Sequence, residues 1–443
     1  MRLLAIIVVS LAVVPGAAAG ADQPKKSAPG TQAKRRPVRA APVSPKVREA
    51  AASSVAAWLD QPGAIENPAG LVAFFEQLYR TERGETPGGP LRILHYGDSH
   101  TAADEWTGTV RYLLQAKFGD GGSGYSPAGR PFAGYRRLGV ANYSSRGWRT
   151  AGLARASGDG LFGLAGVRIE TARPGEKVAI ETECERVELF YLYQPGGGSL
   201  EITENGTPLT RIDTNAELGP GYYAAAVPPC AHRFEAKTLA RAPVKLFGWV
   251  TENNRGITYE ALGINGAQVS VMTRWDEGLQ ASQLARRNPA LVVLAYGTNE
   301  AGSKDWTEAS YRDVLLALIA RIRGAAPAAS ILVIGPPDRY YRARGKWNVY
   351  QNVDRIVAAQ REAAAAARCA FWDLRERMGG KGSMRQWVFS GMAQNDHVHF
   401  TAAGYRLLGG ALFKELMDQY QTFARVRAET LAGNTNGQTN EDR

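Results

Sequence analysis

Three short, mostly apolar runs constrain the fold of this chain more than any other feature. They lie at residues 91–96, 291–296 and 331–335, and the last two contain no charged or strongly polar residue. Runs of this length without polar alternation are typical of strands buried on both faces of a parallel sheet. Stretches with helical periodicity lie between and after them, near residues 274–287, 307–324, 349–368 and 402–425. The alternation of strand and helix predicts a doubly wound α/β domain with a parallel sheet.

Residues 132–255 interrupt this α/β pattern. Helical periods disappear there, and short alternating runs stand between turn signals. The runs 177–182 and 187–193 indicate separate strands, and Asn205-Gly206 is a strong signal for a two-residue hairpin turn. The segment has the size of a small sandwich domain. We therefore predict a β-rich domain inserted after the first strand–helix unit of the α/β domain.

Residues 47–84 are predicted to form two amphipathic helices ahead of the first strand. The second begins at Asn67-Pro68, which we interpret as a helix-capping pair. It carries apolar side chains at helical spacing, namely Leu71, Phe74, Phe75 and Leu78.

The first 21 residues have the pattern of a cleaved export signal. Arg2 precedes an apolar run over 3–14, and small residues at 17–21 offer a cleavage site. The run is shorter than the roughly 20 residues of a membrane-spanning helix. We therefore expect an exported, periplasmic protein with no integral membrane span in the mature chain.

The net charge of +11 is concentrated behind this signal. Residues 22–48 hold eight basic residues and one acidic residue, in a context rich in Pro, Ala, Ser and Gln. Such a segment cannot bury enough apolar surface to fold, so we expect a disordered linker, or a tether to an anionic surface. Because the rest of the chain is nearly balanced, the charge does not indicate a nucleic-acid-binding protein.

The predicted organisation has six parts in chain order. They are a signal peptide (1–21), a basic linker (22–48), a first part of the α/β domain with N-terminal helices (49–131), the inserted β-rich domain (132–255), a second part of the α/β domain (256–428) and a polar tail (429–443).

The chain has three cysteines, which exclude a disulfide-dense scaffold and a four-cysteine zinc site. In an oxidising compartment Cys184 and Cys230 either pair or stay free, and their spacing does not decide between the two. Cys369 lies in an apolar run and is expected to be a buried small hydrophobe. The sequence contains no zinc cluster, phosphate-binding loop or dinucleotide fingerprint, so no cofactor or metal is expected.

A set of polar residues at strand ends provides the groups that a nucleophilic serine needs. Ser99 stands at the carboxyl end of the first strand, where open α/β sheets place their active sites. A nucleophilic serine needs a base and oxyanion donors. Asp396 and His399 lie three residues apart, so the acid is placed to orient the imidazole. Asn299 offers an amide donor after the next strand, and Gly266 offers a backbone N–H.

Each of these short motifs is common on its own. The Ser99 loop also fits a simple Asx-turn, and Asn299 also fits a helix cap. Their order and placement along the chain favour a hydrolase site over these alternatives. Four of the five histidines lie within or beside the motifs, and His399 is the best candidate base; the four are His95, His100, His397 and His399.

The motifs resemble the four blocks of the SGNH (GDSL-like) hydrolases. The matching residues are Gly97-Asp98-Ser99 for the first block, Gly266 for the second, Asn299 for the third, and Asp396 with His399 for the fourth. Glu300 is a departure, because many members carry Asp after the Asn. The resemblance implies a three-layer, flavodoxin-like α/β domain and a catalytic triad of Ser99, His399 and Asp396. It also implies an oxyanion hole formed by Ser99, Gly266 and Asn299.

Longer stretches around these blocks look like the peptidoglycan O-acetylesterases. That group also carries a β-sandwich, similar to a carbohydrate-binding module, between its first and second blocks. The resemblance implies a monomeric serine esterase that removes acetyl groups from the C6 hydroxyl of N-acetylmuramic acid in peptidoglycan, or from another O-acetylated glycan. The alternatives are an O-acetyltransferase acting on an exported polysaccharide, a broader lipase or thioesterase, and a wall-binding protein with an inactive core.

Overall fold

The computed structural model describes residues 43–63, 65–85 and 88–441. The predicted signal peptide and most of the predicted basic linker lie outside these ranges. The α-helices are α1 (Pro45–Asp60), α2 (Val72–Glu82), α3 (Ser99–Ala102), α4 (Trp106–Phe118), α5 (Glu277–Arg287), α6 (Thr298–Ala301), α7 (Glu308–Ala325), α8 (Asn352–Ala366), α9 (Leu374–Arg377), α10 (Met384–Phe389) and α11 (Ala402–Glu441).

The strands belong to three sheets. They are β1 (Leu91–Gly97), β2 (Gly124–Pro127), β3 (Ala141–Ser144), β4 (Arg149–Gly152), β5 (Val167–Thr171), β6 (Lys177–Tyr193), β7 (Ser199–Glu204), β8 (Thr207–Asp213), β9 (Gly219–Thr238), β10 (Val244–Glu252), β11 (Ile257–Gly263), β12 (Leu291–Ala295), β13 (Ser330–Ile334), β14 (Tyr340–Ala343), β15 (Lys346–Val349) and β16 (Ala370–Trp372).

The central sheet is parallel and has five strands in the order β11-β1-β12-β13-β16. Numbered along the chain, this is the 2-1-3-4-5 order of flavodoxin-like folds. The three apolar runs predicted to be buried parallel strands are β1, β12 and β13, and that prediction is confirmed. The order reverses at β1, which therefore places its carboxyl end at the position where such sheets bind ligands.

Helices cover both faces of this sheet, so the α/β part has three layers. Successive residues of β12 point to opposite faces: Val293 packs into the core that contains Phe74 and Leu412, and Leu294 packs into the core that contains Leu315 and Ile356. This alternation explains why the strand is apolar at every position rather than at every second one.

The start of the described chain differs from the prediction in two ways. Helix α1 begins at Pro45, inside the segment predicted to be a disordered linker, and Ser44 caps it by accepting a hydrogen bond from the Val47 N–H. Asn67 is not a side-chain cap. It lies in the left-handed region at φ 50°, and its amide donates to the Cys369 carbonyl at 2.9 Å, because a 3-10 turn (Pro68–Leu71) precedes α2.

A nine-stranded sheet occupies the chain between β2 and β10. Its pairings are antiparallel, and the first strand, β2, lies ahead of residue 132 and pairs with β10. The two runs predicted to be separate strands form the single strand β6, because β9 pairs with it on both sides of a bulge between Cys184 and Arg186. The hairpin prediction is confirmed: Asn205 and Gly206 both have positive φ and connect β7 to β8.

This second sheet shares its packing with the α/β layers. Phe162, Phe190 and Phe247 belong to the same apolar core as Leu294 and Leu315. A second cluster of apolar residues lies within the nine-stranded sheet itself. The strands are therefore joined to the parallel sheet by a continuous core, and a sandwich of the carbohydrate-binding type stays a prediction.

The carboxyl-terminal segment predicted to be a polar tail is helical as far as Glu441, where α11 ends. Within the residues described, no helix combines the length and the apolar character needed to cross a membrane. Cys184, Cys230 and Cys369 are free thiols, and Cys369 is buried as predicted.

Candidate active site

Ser99 lies where β1 turns sharply into α3. The turn depends on Gly97, because a Cβ there would collide with the Thr101 hydroxyl and lie 2.8 Å from the Ala295 carbonyl. Asp98 is buried and caps α3 by accepting a hydrogen bond from the His100 N–H at 3.0 Å. Ser99 is consequently the first residue of a short helix at the carboxyl end of β1.

The structure brings Ser99, His399 and Asp396 into one hydrogen-bonded chain. The Ser99 Oγ lies 2.9 Å from His399 Nε2, and His399 Nδ1 lies 2.7 Å from Asp396 Oδ2. If Nδ1–H donates to the carboxylate, Nε2 is left to accept the serine proton. This arrangement has the geometry required of a nucleophile, a base and an orienting acid.

Asp396 is held as a carboxylate by its own loop. Its Oδ1 accepts the backbone N–H groups of Val398 and His399 at 2.9 and 3.0 Å. Partial burial acts to raise its pKa, but the hydrogen bonds from His399 and from these N–H groups outweigh it and hold the pKa well below the ordinary value. The negative charge beside the imidazole therefore persists throughout the neutral pH range.

The three predicted oxyanion donors lie on three neighbouring loops. The Ile264 N–H donates to the Gly97 carbonyl at 3.0 Å, which ties the loop of Gly266 to the end of β1. Asn299 Nδ2 donates to the Ala267 carbonyl at 2.8 Å and keeps a second N–H for another acceptor. Among the described residues, neither the Ser99 N–H nor the Gly266 N–H has a hydrogen-bond acceptor.

Glu300 also belongs to this site, and its role was not predicted from the sequence. It is buried, and its two carboxyl oxygens accept the Val269 N–H at 2.6 Å and the Gly297 N–H at 3.1 Å. It thus connects the loop that carries Gly266 to the turn that carries Asn299. Burial raises the pKa of Glu300 to about 8. The only sequence signal was its departure from the Asp found in many SGNH hydrolases.

The clustered histidines have different roles. His95 is a core residue whose Nδ1 lies 2.7 Å from the Tyr259 hydroxyl, and burial lowers its pKa to about 3. His100 packs beside His399 with ring centroids 5.2 Å apart, and its Nδ1 lies 2.9 Å from the Tyr405 hydroxyl. Among the described histidines, only His399 places its ring within hydrogen-bond distance of the Ser99 hydroxyl.

Ser99 and His399 open into a surface cleft of about 470 Å³. Asn265 lines the cleft from the Gly266 loop, and Arg136 lines it from the segment between β2 and β3. Arg136 is held there by an ion pair with Glu105 at 3.0 Å. The β-rich part of the chain thus supplies one wall of the cleft. Within the described ranges, no His, Cys, Asp and Glu side chains are grouped as a metal site requires.

Comparisons with known proteins find acylhydrolases and esterases that this chain resembles. Residues 219–407 match the GDSL-like lipase/acylhydrolase family. The matched segment contains Gly266, Asn299, Asp396 and His399 but begins after Ser99. A solved structure of a peptidoglycan O-acetylesterase is 29% identical and has a TM-score of 0.68, with 79% of this chain and 96% of that chain covered.

More distant similarities are to carbohydrate esterases of family two. The enzyme from Clostridium thermocellum is 12% identical over 57% of this chain and 94% of that one, with a TM-score of 0.28. The enzyme from Cellvibrio japonicus is 10% identical over 65% of this chain and 98% of that one, with a TM-score of 0.27. Among curated proteins, none matches this chain. The protein is an ester-hydrolysing enzyme that is similar to the GDSL-like lipases and acylhydrolases and to a peptidoglycan O-acetylesterase.

Proposed function

We propose that this enzyme removes O-acetyl groups from peptidoglycan, at the C6 hydroxyl of N-acetylmuramic acid, through an acetyl-serine intermediate. The observation that carries the proposal is the hydrogen-bonded chain from Ser99 through His399 to Asp396. The likeness to a peptidoglycan O-acetylesterase over most of the chain supports the choice of substrate.

In the first half of the reaction, His399 Nε2 accepts the proton of Ser99 Oγ as that oxygen attacks the acetyl carbonyl carbon. The carbonyl oxygen becomes negatively charged and is bound by the N–H groups of Ser99 and Gly266 and by the Asn299 amide. One donor of this kind is worth about 3 kcal/mol of barrier. Asp396 stabilises the imidazolium that forms on His399.

The tetrahedral intermediate formed by this attack then collapses. The bond between the carbonyl carbon and the sugar oxygen breaks, and the imidazolium of His399 gives its proton to that oxygen. Ser99 keeps the acetyl group as an ester. In the second half, His399 takes a proton from water, the hydroxide attacks the same carbonyl carbon, and acetate leaves as Ser99 Oγ regains a proton. Every step uses groups of the chain and water.

The acetyltransferase alternative shares the acetyl-serine and differs only in the acceptor. No feature of the described residues favours a sugar acceptor over water, so hydrolysis is the function that we propose. The enzyme would act in the periplasm as a monomer after export by the signal at 1–21.

We also propose that the β-rich segment binds the glycan as a carbohydrate-binding module does. Its support is its position between the Ser99 and Gly266 blocks, together with the place of Arg136 in the cleft wall. Co-sedimentation of Arg136→Gln with insoluble peptidoglycan tests this proposal: weaker sedimentation than that of wild type would support it, and equal sedimentation would contradict it.

The function is tested by measuring acetate released from O-acetylated peptidoglycan by the purified enzyme. The matched control is the same peptidoglycan after mild base has removed its acetyl esters. We expect acetate only from the acetylated material. Hydrolysis of a small aryl acetate without release of acetate from peptidoglycan would show an esterase with a different substrate.

A further inference from the structure

A short hairpin beside the site has an unusual surface. Strands β14 and β15 form this basic hairpin, which comprises residues 340–350. Its sequence contains no acidic residue, and Arg342, Arg344 and Lys346 are all exposed. Within the described part of the chain, none of these three cations forms an ion pair. A second basic surface differs in this respect: it is a cleft on the nine-stranded sheet, and its arginines pair with Asp159 and Glu170.

The basic hairpin is fixed against the loop that carries the candidate triad. The Tyr340 N–H donates to the His397 carbonyl at 3.1 Å. The Trp347 ring packs on the His397 ring with centroids 4.0 Å apart and planes 33° apart. Because His397 directly follows Asp396, the hairpin lies next to the catalytic loop. Trp347 nevertheless remains 40% exposed.

The base of the hairpin also reaches the oxyanion side of the site. The Arg339 guanidinium packs over the Tyr350 ring at 4.5 Å and donates to the carbonyl of Thr298, the residue before Asn299. Tyr350 packs in turn on Tyr341, with ring centroids 4.6 Å apart. The hairpin therefore spans from the Asp396 loop to the Asn299 loop, along one border of the reacting centre.

Two kinds of recognition chemistry coexist on this surface. Exposed faces of Trp347 and Tyr341 suit the apolar face of a sugar ring, since aromatic side chains combine a large contact area with little conformational entropy. The unpaired guanidinium and ammonium groups suit carboxylates. A neutral polysaccharide uses only the first chemistry and an acidic peptide only the second, so the ligand that uses both is a glycan that bears carboxylates.

We propose that the basic hairpin binds the carboxylate-bearing part of the acetylated glycan and thereby positions the ester over Ser99. This inference rests on the proposed function and narrows its substrate to glycan strands that still carry acidic peptide substituents. A sugar stacks on Trp347, and Arg342, Arg344 and Lys346 contact the carboxylates of the substituents.

The charged part of the proposal is tested with Arg342→Gln/Arg344→Gln. The matched control is Arg368→Gln/Arg425→Gln. It removes two exposed cations that lie away from the hairpin and form no ion pair with the described residues. For each variant, kcat/KM on O-acetylated peptidoglycan is divided by kcat/KM on a small aryl acetate. We expect this ratio to fall about 3- to 10-fold in the hairpin variant through KM, and not in the control, because each exposed charge pair that is lost contributes modestly to binding.

The ligand class is tested by changing the substrate. When a carbodiimide and methylamine have converted the carboxylates of the O-acetylated peptidoglycan to neutral amides, the difference between wild type and the hairpin variant should disappear. High salt should reduce it in the same way. A difference of equal size on the amidated glycan would overturn the assignment of carboxylates as the ligand.

The aromatic part is tested with Trp347→Ala and the conservative Trp347→Phe. Trp347 packs on His397, so its replacement can also affect the triad. Dividing kcat/KM on the glycan by kcat/KM on aryl acetate corrects for that effect. We expect Ala to lower the ratio on both the untreated and the amidated glycan, and Phe to restore most of it. An unchanged ratio in Trp347→Ala would contradict the sugar contact.

Co-sedimentation with insoluble peptidoglycan separates this inference from the proposed function. Binding is measured with wild type and with Arg342→Gln/Arg344→Gln, independently of turnover. Weaker sedimentation of the hairpin variant supports the binding surface, whatever acetate is released. Equal sedimentation and equal kinetics of the two proteins would overturn the hairpin inference while leaving acetate release by the wild type to decide the proposed function.

Discussion

At the scale of single residues, the chemistry of the site depends on which nitrogen of His399 carries the proton. The 2.7 Å contact between Asp396 and Nδ1 favours the tautomer with Nδ1–H, which leaves Nε2 as the acceptor for the serine proton 2.9 Å away. The sequence indicated this pair by its spacing alone. What spacing could not show is that the Val398 and His399 N–H groups also hold the carboxylate in place.

Asp396→Asn should therefore lower kcat on a small aryl acetate by about 10³- to 10⁴-fold, with little change in KM. The Asn amide favours the tautomer that carries its proton on Nε2, which cannot accept a proton from Ser99. The matched control is Asp418→Asn, which removes a carboxylate from a surface pair with Lys414. A kcat within a few-fold of wild type for Asp396→Asn would exclude the acid from the mechanism.

Glu300 should act as a positioning residue for the oxyanion donors. Replacement by Gln leaves only one oxygen for the two N–H groups of Val269 and Gly297, and replacement by Asp shortens the side chain. An N–H without an acceptor in a buried site costs about 1–3 kcal/mol. We expect Glu300→Gln to reduce kcat about 10-fold or more on aryl acetate while KM changes little. Suppose that Glu300→Gln lowers the free energy of unfolding by as much as it raises the activation free energy, and that the pH profile does not change. That result would indicate a purely structural residue.

The raised pKa of Glu300 predicts how the free energy of unfolding depends on pH. The folded protein keeps the Glu300 proton up to about pH 8, whereas the unfolded chain releases it near the ordinary value of 4.5. The folded state therefore binds more protons between these values, and the free energy of unfolding should fall as pH rises from about 4.5 to about 8. Asp98, whose pKa burial raises to about 6, acts in the same direction. Denaturation of wild type and Glu300→Gln at pH 5 and pH 8 measures this, and an equally steep fall in the variant would contradict it.

At the scale of elements, the strands that were predicted correctly were those marked by an apolar run or by turn chemistry. Residues 291–295 of β12 and 331–334 of β13 are all apolar because both faces of these strands are covered. Strand β1 is mostly apolar, and the β7–β8 hairpin follows from Asn205-Gly206. The division of β6 failed for a tertiary reason. Its middle residues are polar and read as a break, but pairing with β9 continues through them across a bulge.

That pairing places Cys184 and Cys230 directly opposite each other on β6 and β9. Opposite residues of an antiparallel pair have Cα atoms about 4.5–5.5 Å apart, which is within the range that disulfides span. Both are thiols in the structure, and we expect a mild oxidant to link them within one chain. Intact-mass measurement under denaturing conditions should show the loss of two hydrogens in wild type and none in Cys184→Ser. Two alkylatable thiols at these positions after oxidation would contradict the prediction.

At the scale of the whole molecule, a chain of buried charges joins the two sheets. Arg92 of β1 and Arg287 of α5 both pair with Glu252 of β10, at 2.7 and 2.6 Å, and Arg287 also pairs with Glu260 of β11. The arginines hold the pKa of Glu252 at about 2 against the effect of burial. No sequence pattern revealed this connection, because its members are far apart along the chain and each is an ordinary charged residue in isolation.

Arg287→Met should destabilise the protein by about 3–5 kcal/mol, because it leaves the buried carboxylate of Glu260 without its charged partner and leaves Glu252 with Arg92 alone. Arg312→Met is the matched control, since Arg312 pairs with Asp313 on the surface. Thermal or chemical denaturation measures both. A change below about 1 kcal/mol in Arg287→Met would show that the network does not hold the sheets together.

More of the candidate site than of the surface around it could be predicted from the sequence. The order of Ser99, Gly266, Asn299, Asp396 and His399 along the chain was enough to place them at one edge of a parallel sheet. The contribution of Arg136 to the cleft was not accessible from the sequence, because it depends on how the nine-stranded sheet packs on the α/β layers. The same is true of the basic hairpin, whose importance comes from its contact with His397.

The most direct test of the central claim is acetate release from O-acetylated peptidoglycan by wild type and by Ser99→Ala. The free energy of unfolding is measured alongside, to show that the variant remains folded. We predict acetate from the wild type and none above background from Ser99→Ala, because no other group contacts His399 Nε2 in place of the serine oxygen among the described residues. Release by folded Ser99→Ala at a rate near that of wild type would contradict the mechanism.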